Sequence, residues 1–257
     1  MERELTGRVA LITGASSGIG AATAVRLAAA GADCALVGRR EGALEQIRSA
    51  CAGGGAAAQS LVADVTDPPA AAAAVAATIQ RFGRLDILVN AAGVIASGAL
   101  DSTSLDSWDA MFAINVRSVF HLMQLCRPHL AHSRGCVVNV SSVAGLRSFP
   151  GVIAYAASKA ALDQLTRCAA LELAASGVRV NAVNPGVVVT ELHRRGGMDP
   201  AAYQAFLERS KSTHPLGRVG KPEEIADLIL FLASPRAAWI TGETIAIDGG
   251  RAQTCLR

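Results

Sequence analysis

Short apolar runs rich in β-branched residues recur along the chain, and longer segments with helical periodicity separate them. Seven such runs predict strands, at 8–13, 34–37, 60–63, 85–89, 136–141, 178–183 and 243–248. The clearest helical segments are 18–30, 41–51, 68–82, 104–131, 154–176 and 222–233. Strands that are apolar along nearly their whole length must be covered on both sides. The pattern therefore predicts an α/β fold, with a doubly wound, mostly parallel seven-stranded sheet and helices on both faces.

Two of the predicted helices have an unusual composition. The alanine-rich segment 68–82 follows Asp67, a good N-cap residue, and begins with proline, so it is interpreted as an ordinary helix. Segment 154–176 has Ala, Leu and Cys over most of its circumference, with few charges before Arg167. One face of this helix must pack on the sheet, and the other needs a second partner. A homo-oligomer interface is the simplest candidate.

The composition permits one large core and argues against nucleic acid as a partner. The chain has 257 residues, of which 51% are hydrophobic, and no linker-like change of composition divides it. Residues 1–257 are therefore interpreted as a single domain. The net charge is +3, basic runs are no longer than two residues, and 4% of residues are aromatic. Neither a phosphate-tracking stripe nor a base-stacking surface is visible.

The N-terminal segment and the cysteines indicate the compartment. The apolar stretch Val9–Thr13 is too short for a signal sequence or a membrane span. We therefore expect no membrane association and a cytoplasmic location, with an organellar interior as the alternative. None of the six cysteines has C-x-x-C or Cys/His ligand spacing, so reduced thiols are expected. The cysteines are Cys34, Cys51, Cys126, Cys136, Cys168 and Cys255.

The first predicted strand runs directly into the sequence TGASSGIG, which a helix follows. Glycines allow a sharp turn and a close approach to a pyrophosphate, and the first amides of the helix are unpaired donors. The spacing is G-x-x-x-G-x-G rather than G-x-G-x-x-G, and a plain glycine-rich turn is the alternative. Its position at the first strand–helix junction favours a dinucleotide site. The residues expected to bind the cofactor here are Gly14, Ser16, Ser17, Gly18, Ile19 and Gly20.

The end of the second predicted strand indicates which dinucleotide binds. An enzyme selective for an unphosphorylated ribose would have an acidic residue about 20 residues after the glycines. Gly38 stands there instead, followed by Arg39 and Arg40. A guanidinium pairs bidentately with a 2′-phosphate, so the sequence favours NADP over NAD. The alternative is a solvated basic turn before the helix at 41–51.

The pair Tyr155 and Lys159 is notable in a chain with only two tyrosines and three lysines. The two residues are one helical turn apart and share a face, so the ammonium can lie near the phenolic oxygen. A phenol needs its pKa lowered by about 3 to act as a base near neutral pH. One cation at about 4 Å and an effective dielectric of about 20 supplies the required free energy. The sequence therefore predicts an acid–base tyrosine whose pKa Lys159 lowers.

Together these motifs closely resemble those of the short-chain dehydrogenase/reductase family, in its single-domain branch of about this length. Matching segments span nearly the whole chain: TGASSGIG (13–20), DV (64–65), NAAG (90–93), NVSS (139–142), YAASK (155–159), NPGVVVT (184–190), PLGRVGKPEEIA (215–226) and ITGETIAIDGG (240–250). Ala91 is a mild departure, because the family usually has asparagine there. The resemblance implies a Rossmann-like fold and favours a homotetramer.

The resemblance also implies a catalytic tetrad of Asn115, Ser142, Tyr155 and Lys159. In the family the serine orients the substrate oxygen and the tyrosine transfers the proton. The lysine also holds the nicotinamide ribose, and the asparagine keeps a water that links the lysine to solvent. Considered singly, Ser142 would be a cap or turn residue and Asn115 a packed polar group. Further cofactor contacts carry over by position: Asp64 and Val65 at the adenine; Asn90, Ala91, Ala92 and Gly93 at the central strand; and Pro185, Gly186, Val188 and Thr190 at the nicotinamide.

Segment 190–215 corresponds to a mobile substrate lid in the family, with Gly196 and Gly197 as candidate hinges. Its basic residues would face an anionic substrate or, alternatively, water: His193, Arg194 and Arg195. An apolar pocket wall is expected from Val94, Ala96, Phe149 and Val187. The other histidines have no metal-ligand spacing, so surface or capping roles and no metal site are expected: His121, His129, His132 and His214.

The sequence thus predicts an NADP(H)-dependent oxidoreductase. It would move a hydride between nicotinamide and a carbonyl or secondary alcohol of a small molecule, such as a ketone, quinone, steroid or 3-oxoacyl thioester. The alternative is an NADP-binding regulatory or assembly subunit without turnover, against which the intact tetrad counts.

Overall fold

The computed structural model describes residues 3–53 and 55–254. Its strands form one seven-stranded sheet in the order β3-β2-β1-β4-β5-β6-β7. They are β1 (Val9–Thr13), β2 (Asp33–Gly38), β3 (Ala58–Val62), β4 (Ile87–Asn90), β5 (Cys136–Val140), β6 (Arg179–Pro185) and β7 (Thr244–Ile247). Every pair of neighbouring strands in this sheet is parallel. The predicted fold class is confirmed, and the sheet is wholly parallel where it was expected to be mostly so.

Helices connect the strands and cover both faces of the sheet. They are α1 (Gly18–Ala29), α2 (Glu41–Ala52), α3 (Pro68–Phe82), α4 (Leu105–Phe112), α5 (Ser118–Ser133), α6 (Val143–Leu146), α7 (Ile153–Ala174), α8 (Leu192–Arg195), α9 (Pro200–Thr213) and α10 (Pro222–Ala233). Successive side chains of β1 enter different cores. Ile12 belongs to the core that α1 and α10 cover, and Leu11 to the core under α3, α5 and α7. The apolar strands are thus buried on both sides, as predicted.

The order of the sheet determines where a ligand can bind. Strand β1 pairs with β2 on one side and with β4 on the other, so the direction of winding reverses at β1. Connections leave the sheet toward opposite faces at such a point and leave a crevice at the carboxyl ends of the strands. The glycine loop that follows Thr13 and the segment that follows Asn90 border this crevice.

The segment predicted as one helix over 104–131 is divided in the structure. Helix α4 ends at Phe112, a π-helical turn occupies Ala113–Arg117, and α5 begins at Ser118. A π-turn inserts one extra residue into the helical hydrogen-bond ladder, often at a functional site. The hydrophobic pattern of the sequence does not predict it. Asn115 lies in the middle of this turn and is fully buried.

The expected lid, segment 190–215, contains the helices α8 and α9. Asp199 caps α9 by accepting hydrogen bonds from the amides of Ala201 and Ala202, both 3.0 Å long, and Pro200 occupies the first helical position. The same Asp-Pro signal marks the start of α3, although the Asp67 side chain makes no capping bond. The sequence therefore contained the information for α9, which the polar composition of the segment concealed.

Three further expectations concern membranes, metals and thiols. Within the described ranges, no helix combines the length and apolarity needed to cross a bilayer. The same residues contain no group of three or more His, Cys, Asp or Glu side chains arranged for a metal ion. The five described cysteines are unpaired, and burial raises the pKa of Cys126 to about 12 and of Cys136 to about 11. Cys255 lies outside the described residues.

Candidate active site

A cavity of about 1270 Å³ lies along the carboxyl ends of the strands. The glycine loop, the residues that follow β2 to β6 and the segment 187–196 line it. Its volume exceeds the roughly 300–1,000 Å³ typical of a pocket for one small ligand. The cavity is therefore large enough for a dinucleotide together with a substrate.

The glycine loop allows the backbone to approach closely where a side chain would not fit. A Cβ on Gly14 would lie 2.7 Å from the carbonyl oxygen of Ala91, and one on Gly20 would lie 2.4 Å from that of Gly14. Gly14 and Gly18 also have φ values of +66° and +55°, which favour glycine. The side chain of Ser17, the N-cap of α1, makes no capping bond, so the first amides of the helix face the cavity as anion donors. These features fit a pyrophosphate.

Thr13 holds this loop against the segment that follows β4. Its hydroxyl accepts hydrogen bonds from the amides of Ala91 and Ala92, both 3.1 Å long. On the neighbouring strand β4, the side-chain Nδ2 of Asn90 donates to Oδ1 of Asn139 on β5 at 2.9 Å, within the buried centre of the sheet. The expected cofactor residues Asn90, Ala91, Ala92 and Gly93 thus form one braced wall, whose last three members line the cavity.

The two arginines that follow β2 do different things. Arg39 lines the cavity, with Nη1 3.7 Å from Oδ2 of Asp64. Arg40 donates from Nη2 to the carbonyl oxygen of Ser16 at 2.9 Å and so braces the glycine loop. Hydrogen bonds from Thr66 lower the pKa of Asp64, and the nearby Arg39 lowers it further, so Asp64 is ionised at neutral pH. Val65, next to it, is buried and completes this end of the cavity.

Asn115 connects the π-turn with the wall of the cavity. Its Oδ1 accepts a hydrogen bond from the amide of Val94, and its Nδ2 donates to the carbonyl oxygen of the same residue, both at 3.1 Å. Nδ2 also lies 3.0 Å from the hydroxyl of Ser158 on α7. A Cβ on Gly93 would lie 3.1 Å from Asn115 Oδ1 and 3.7 Å from Lys159 Nζ. Gly93, Asn115 and Lys159 are therefore immediate neighbours.

Ser142 and Tyr155 line the same cavity as Gly93 and Lys159. Ser142 is the N-cap of α6, and its hydroxyl accepts a hydrogen bond from the amide of Ala144 at 3.1 Å. Burial raises the pKa of Tyr155, and the nearby Ser142 hydroxyl opposes only part of that increase. The Tyr155 ring packs in an apolar cluster with Met111 and Ala144. At neutral pH, Tyr155 is consequently a protonated phenol beside a serine hydroxyl.

Lys159 shares the helix face with Tyr155, as the spacing predicts. Its Nζ lies 5.7 Å from the centroid of the Tyr155 ring and donates to the carbonyl oxygen of Val140 at 2.9 Å. Burial lowers the pKa of Lys159 to about 8, with Asp163 opposing the change. The pKa of Tyr155 is raised on balance, whereas the sequence predicts a lowered one, because burial disfavours the phenolate. The buried surroundings disfavour the charged form of both residues, and the ammonium is bonded to a backbone carbonyl.

The buried carboxylate of Asp163, which was not predicted from the sequence, lies next to the Tyr155–Lys159 pair on α7. Asp163 lies one turn beyond Lys159 on α7 and is 2% exposed. Its carboxylate accepts from Nδ2 of Asn184 at 2.9 and 3.1 Å, and the same Nδ2 donates to the backbone carbonyl of Ser142 at 2.9 Å. Burial raises the pKa of Asp163, and the hydrogen bonds from Asn184 and the nearby Ser141 hydroxyl counteract that increase. Asp163 thus links the position of Ser142 to the charge on Lys159.

The expected nicotinamide residues lie where β6 leaves the sheet. Pro185, Gly186, Val188 and Thr190 all line the cavity. A Cβ on Gly186 would lie 2.8 Å from Nε2 of His214, which accepts the amide hydrogen of Val187 at 3.1 Å. His214 is therefore a buried brace and not a surface residue, and it fills the expected capping role, because it is the C-cap of α9 and its Nδ1 bonds to the carbonyl oxygen of Ser210 at 2.6 Å.

The chain's second tyrosine holds the start of the lid. The Tyr203 hydroxyl, carried by α9, accepts from the amide of Thr190 at 3.1 Å and donates to its carbonyl oxygen at 2.8 Å. The side chain of Thr190 in turn packs on the glycine loop, where a Cβ on Gly18 would lie 3.2 Å from its Cγ2. The role of Tyr203 was not predicted from the sequence, because a residue in a polar segment shows no sign of a contact with Thr190.

The far end of the cavity is apolar with a basic component. Val94, Phe149 and Val187 line it as expected, whereas Ala96 packs behind them in the Tyr155 cluster. The guanidinium of Arg251 lies 4.7 Å from the centroid of the Phe149 ring and also lines the cavity.

The three basic lid residues do not act as one group. His193 lines the cavity and packs against Phe206, with ring centroids 4.6 Å apart and the rings tilted by 40°. Arg194 is ion-paired with Glu191 and lies over the Tyr203 ring. Arg195 lines the cavity, and burial lowers the pKa of its guanidinium, with Glu191 opposing the change. Of the three, His193 and Arg195 line the cavity and Arg194 does not, so contact with an anionic substrate stays a prediction for His193 and Arg195.

Comparisons with known proteins agree with this geometry. A family model described as enoyl-(acyl carrier protein) reductase matches residues 14–252. The chain is 40% identical over 247 residues to the 3-oxoacyl-[acyl-carrier-protein] reductase FabG of Thermotoga maritima, covering 96% of this chain and 98% of the relative. It is 37% identical over 252 residues to the L-xylulose reductase of Mesocricetus auratus, covering 97% and 98%.

A solved structure shares both the fold and much of the sequence. It is a short-chain dehydrogenase/reductase of unknown function from Caenorhabditis elegans with cofactor. The two chains superpose with a TM-score of 0.93 at 38% identity, over 98% of this chain and 97% of the other. Sequence, fold and site agree, and the chain belongs to the short-chain dehydrogenase/reductase family of oxidoreductases, which act on CH–OH and carbonyl groups with a nicotinamide cofactor.

Proposed function

We propose that this protein is an NADP(H)-dependent reductase of small carbonyl compounds, working through Asn115, Ser142, Tyr155 and Lys159. The observation that supports it most strongly is the position of Tyr155 beside Ser142 and one turn from Lys159, in the same cavity as the glycine loop. The proposal is tested by mixing the purified protein with NADPH and a panel of ketones, quinones, steroids and 3-oxoacyl thioesters. Oxidation of NADPH is expected, whereas tight binding without turnover on the whole panel would favour a regulatory subunit.

Each side chain of the site has a distinct task. When bound, the nicotinamide supplies or accepts the hydride. Ser142 donates a hydrogen bond to the substrate oxygen and orients it without titrating. Tyr155 is protonated at neutral pH, so it is ready to give its proton to the oxygen as a carbonyl is reduced. Lys159 favours the departure of that proton through its charge, and Asn115 fixes the adjoining wall.

The preference for NADP(H) over NAD(H) rests on Arg39. Arg39 lines the cavity directly after β2, where Gly38 and Arg39 stand in place of the acidic residue that would accept a ribose hydroxyl. The carboxylate nearby, that of Asp64 after β3, lies 3.7 Å from the Arg39 guanidinium. Arg39→Asp should raise the Kd for NADPH about 10²-fold and leave the Kd for NADH within a few-fold, because a charge-assisted pair is lost and a repulsive one gained. Fluorescence titration with both nucleotides measures this. Equal losses for the two nucleotides would contradict the preference.

The substrate end of the cavity favours an anionic group on an apolar body. Burial lowers the pKa of Arg251, with Asp248 opposing. Arg251 donates to the hydroxyl of Thr213 and has no ion-pair partner among residues 3–53 and 55–254. Ketones with a terminal carboxylate should therefore have a kcat/KM about tenfold above that of their methyl esters. Arg251→Met should remove the difference, and Arg236→Met, whose arginine pairs with Glu4, should keep it. Faster turnover of the esters would contradict the assignment.

The proposal also covers the domain organisation, the oligomeric state and the cellular location of the protein. The chain is one nucleotide-binding unit with a lid at about 190–215, and it works as a cytoplasmic homo-oligomer, as a tetramer in the simplest case. Phe120 on α5 and Leu171 on α7 support the assembly, since both are large apolar side chains exposed on helices that flank the sheet. The unpaired thiols of the described residues support a reducing compartment.

A further inference from the structure

His214 lies where three segments of the chain meet, behind the segment 185–190 in which the nicotinamide is expected. It is the C-cap of α9 and is 3% exposed. An added Cβ on Gly186 would lie 2.8 Å from Nε2 of His214, and one on Gly249 would lie 3.5 Å from the His214 Cβ. The imidazole therefore fills the space between the lid helix α9, the turn after β6 and the segment after β7.

Both ring nitrogens of His214 have a partner that determines their protonation. Nδ1 lies 2.6 Å from the carbonyl oxygen of Ser210, which can only accept, so Nδ1 carries the hydrogen. The Thr213 hydroxyl donates to the same carbonyl at 3.0 Å. Nε2 lies 3.1 Å from the backbone nitrogen of Val187, which can only donate, so Nε2 carries no hydrogen. A second proton on this imidazole would therefore face the N–H of Val187.

Two charged side chains of the C-terminal segment face His214. The carboxylate of Asp248 accepts from two backbone amides of the turn that follows it, at 2.9 and 2.6 Å. Arg251 donates to the hydroxyl of Thr213, next to His214. Burial lowers the pKa of His214, the charge of Arg251 lowers it further, and the bond with Ser210 and the charge of Asp248 oppose the change. The surroundings therefore favour the neutral ring on balance.

The other charged groups around the ring are paired with each other. Arg218 and Glu224 line a second cavity of about 110 Å³ together with His214, and Arg218 Nη1 bonds to Oε2 of Glu224 at 2.9 Å. On α9, the helix that His214 caps, Lys211 pairs with Glu208 at 2.7 Å. These charges are thus compensated in pairs, and the hydrogen bonds of its two nitrogens define the state of the ring.

Val187 connects the ring to the large cavity. Its N–H is bonded to His214, and its carbonyl oxygen accepts from the amide of Gly220 at 2.8 Å. The three consecutive residues Gly186, Val187 and Val188 all line the large cavity. The backbone that borders the expected nicotinamide position is thus held from behind at one residue, and His214 is the side chain that holds its N–H.

We propose that His214 is a positioning residue for the nicotinamide end of the cofactor site, and that only its neutral form holds Val187 in the productive position. This role rests on the proposed function. A displacement of about 1 Å in a reacting pair can cost about 10²-fold in rate, so the placement of this backbone affects catalysis without touching the reacting atoms. Acid should loosen the segment, because an imidazolium has no acceptor for the Val187 N–H.

Asparagine and glutamine replace different ring nitrogens, so the two variants separate positioning from capping. His214→Asn keeps a donor near the position of Nδ1 for the Ser210 carbonyl, but it has no acceptor that reaches Val187. His214→Gln places an acceptor near the position of Nε2. His214→Asn should raise the Kd for NADP⁺ about tenfold at pH 8, because a buried amide loses its acceptor. His214→Gln should restore binding, and calorimetric titration measures both.

A nucleotide without nicotinamide shows where the effect acts. The 2′-phosphorylated form of ADP-ribose has the adenosine and the phosphates of NADP⁺ but lacks the nicotinamide. Its Kd should be the same in the wild type and in His214→Asn. NAD⁺ should be weakened by the same factor as NADP⁺, since the 2′-phosphate takes no part. Equal weakening of the nucleotide without nicotinamide would mean that His214 supports the fold in general, and the positioning role would be wrong.

The pH dependence of binding tests the requirement for the neutral ring. As the pH falls below 6.5, the ordinary pKa of histidine, the Kd for NADP⁺ should rise more steeply in the wild type than in His214→Gln. The glutamine variant also corrects for the 2′-phosphate, which titrates with a pKa of about 6. His132→Asn, which removes an exposed histidine on α5, should keep the wild-type curve. Parallel curves for the wild type and His214→Gln would refute the requirement.

A third measurement needs neither nucleotide nor turnover. Hydrogen exchange of residues 186–189 in the nucleotide-free protein should be faster in His214→Asn than in the wild type and in His214→Gln, because the Val187 amide has lost its acceptor. Exchange at equal rates in all three proteins would show that His214 does not hold this backbone.

The outcomes separate this role from the proposed function. If all three proteins bind NADP⁺ equally and reduce carbonyls equally well, the role of His214 is wrong and the proposed function stands. If the wild type binds nucleotides but reduces no carbonyl, the proposed function is wrong, and the binding and exchange experiments still decide the role of His214. Equal affinity of the wild type for NADP⁺ and NAD⁺ would overturn the cofactor preference alone.

Discussion

Tyr155→Phe should lower kcat for carbonyl reduction about 10³-fold, the size of a lost general acid, with little change in the Kd for NADPH. Burial raises the pKa of Tyr155, so the wild-type side chain is a neutral phenol that can donate its proton at neutral pH. Phenylalanine keeps the ring in its apolar cluster with Met111 and Ala144 but has no proton to give. Single-turnover measurements of NADPH oxidation separate this chemical step from product release.

The chain offers a matched control in its other tyrosine. Tyr203→Phe also removes one hydroxyl, but this hydroxyl holds the backbone of Thr190 at the start of the lid. It should raise the KM for the cofactor and leave the solvent isotope effect on the chemical step in place, while Tyr155→Phe should abolish that isotope effect. Turnover by Tyr155→Phe at the wild-type rate would show that another group donates the proton.

The glycine loop and the sheet could be predicted because each depends on local rules. Strands buried on both faces are read from apolar runs, and the glycines that follow β1 are required by contacts with their own loop and with Ala91. The spacing of Tyr155 and Lys159 likewise fixes their shared helix face. Such features are encoded within a few residues, so the sequence shows them directly.

Other features depend on residues far apart in the chain and could not be predicted in this way. The π-turn that carries Asn115 has no pattern of its own, and the Asp163–Asn184 contact joins α7 to β6. Burial also reverses the expected effect on Tyr155, because the desolvation of a phenol depends on its whole surroundings.

The pKa shifts of Tyr155 and Lys159 lead us to expect that the site reduces carbonyls faster than it oxidises alcohols near neutral pH. Tyr155 keeps its proton well into the alkaline range, and Lys159, with a pKa of about 8, keeps its charge below that pH. A protonated donor beside a charged ammonium suits proton delivery to a developing alkoxide. Oxidation of an alcohol would need the opposite protonation state of Tyr155, so it should become relatively faster as the pH rises.

Lys159→Met should lower kcat for reduction about 10²-fold, because an ammonium at roughly 6 Å and an effective dielectric of about 20 contributes close to 3 kcal/mol. In the wild type, kcat should fall as the pH rises through about 8, where Lys159 loses its charge. In Lys159→Met this decline should be absent, since Tyr155 does not titrate there. Lys211→Met is the control, because Lys211 pairs with Glu208 on the surface, and it should keep the wild-type profile.

Stability gives an independent measurement on the same variant. The folded-state pKa of Lys159 lies below its ordinary value, so at any pH below about 8 the folded protein keeps a charge that it disfavours. Removing that charge should raise the free energy of unfolding by up to about 3 kcal/mol at neutral pH, and the gain should shrink as the pH rises above 8. Urea unfolding at neutral pH and above pH 9 measures this. A variant that is more stable than the wild type yet slower in catalysis excludes misfolding as the cause of the lower kcat. A less stable variant would mean that the Lys159 ammonium, through its contacts with Val140 and Asp163, also stabilises the fold.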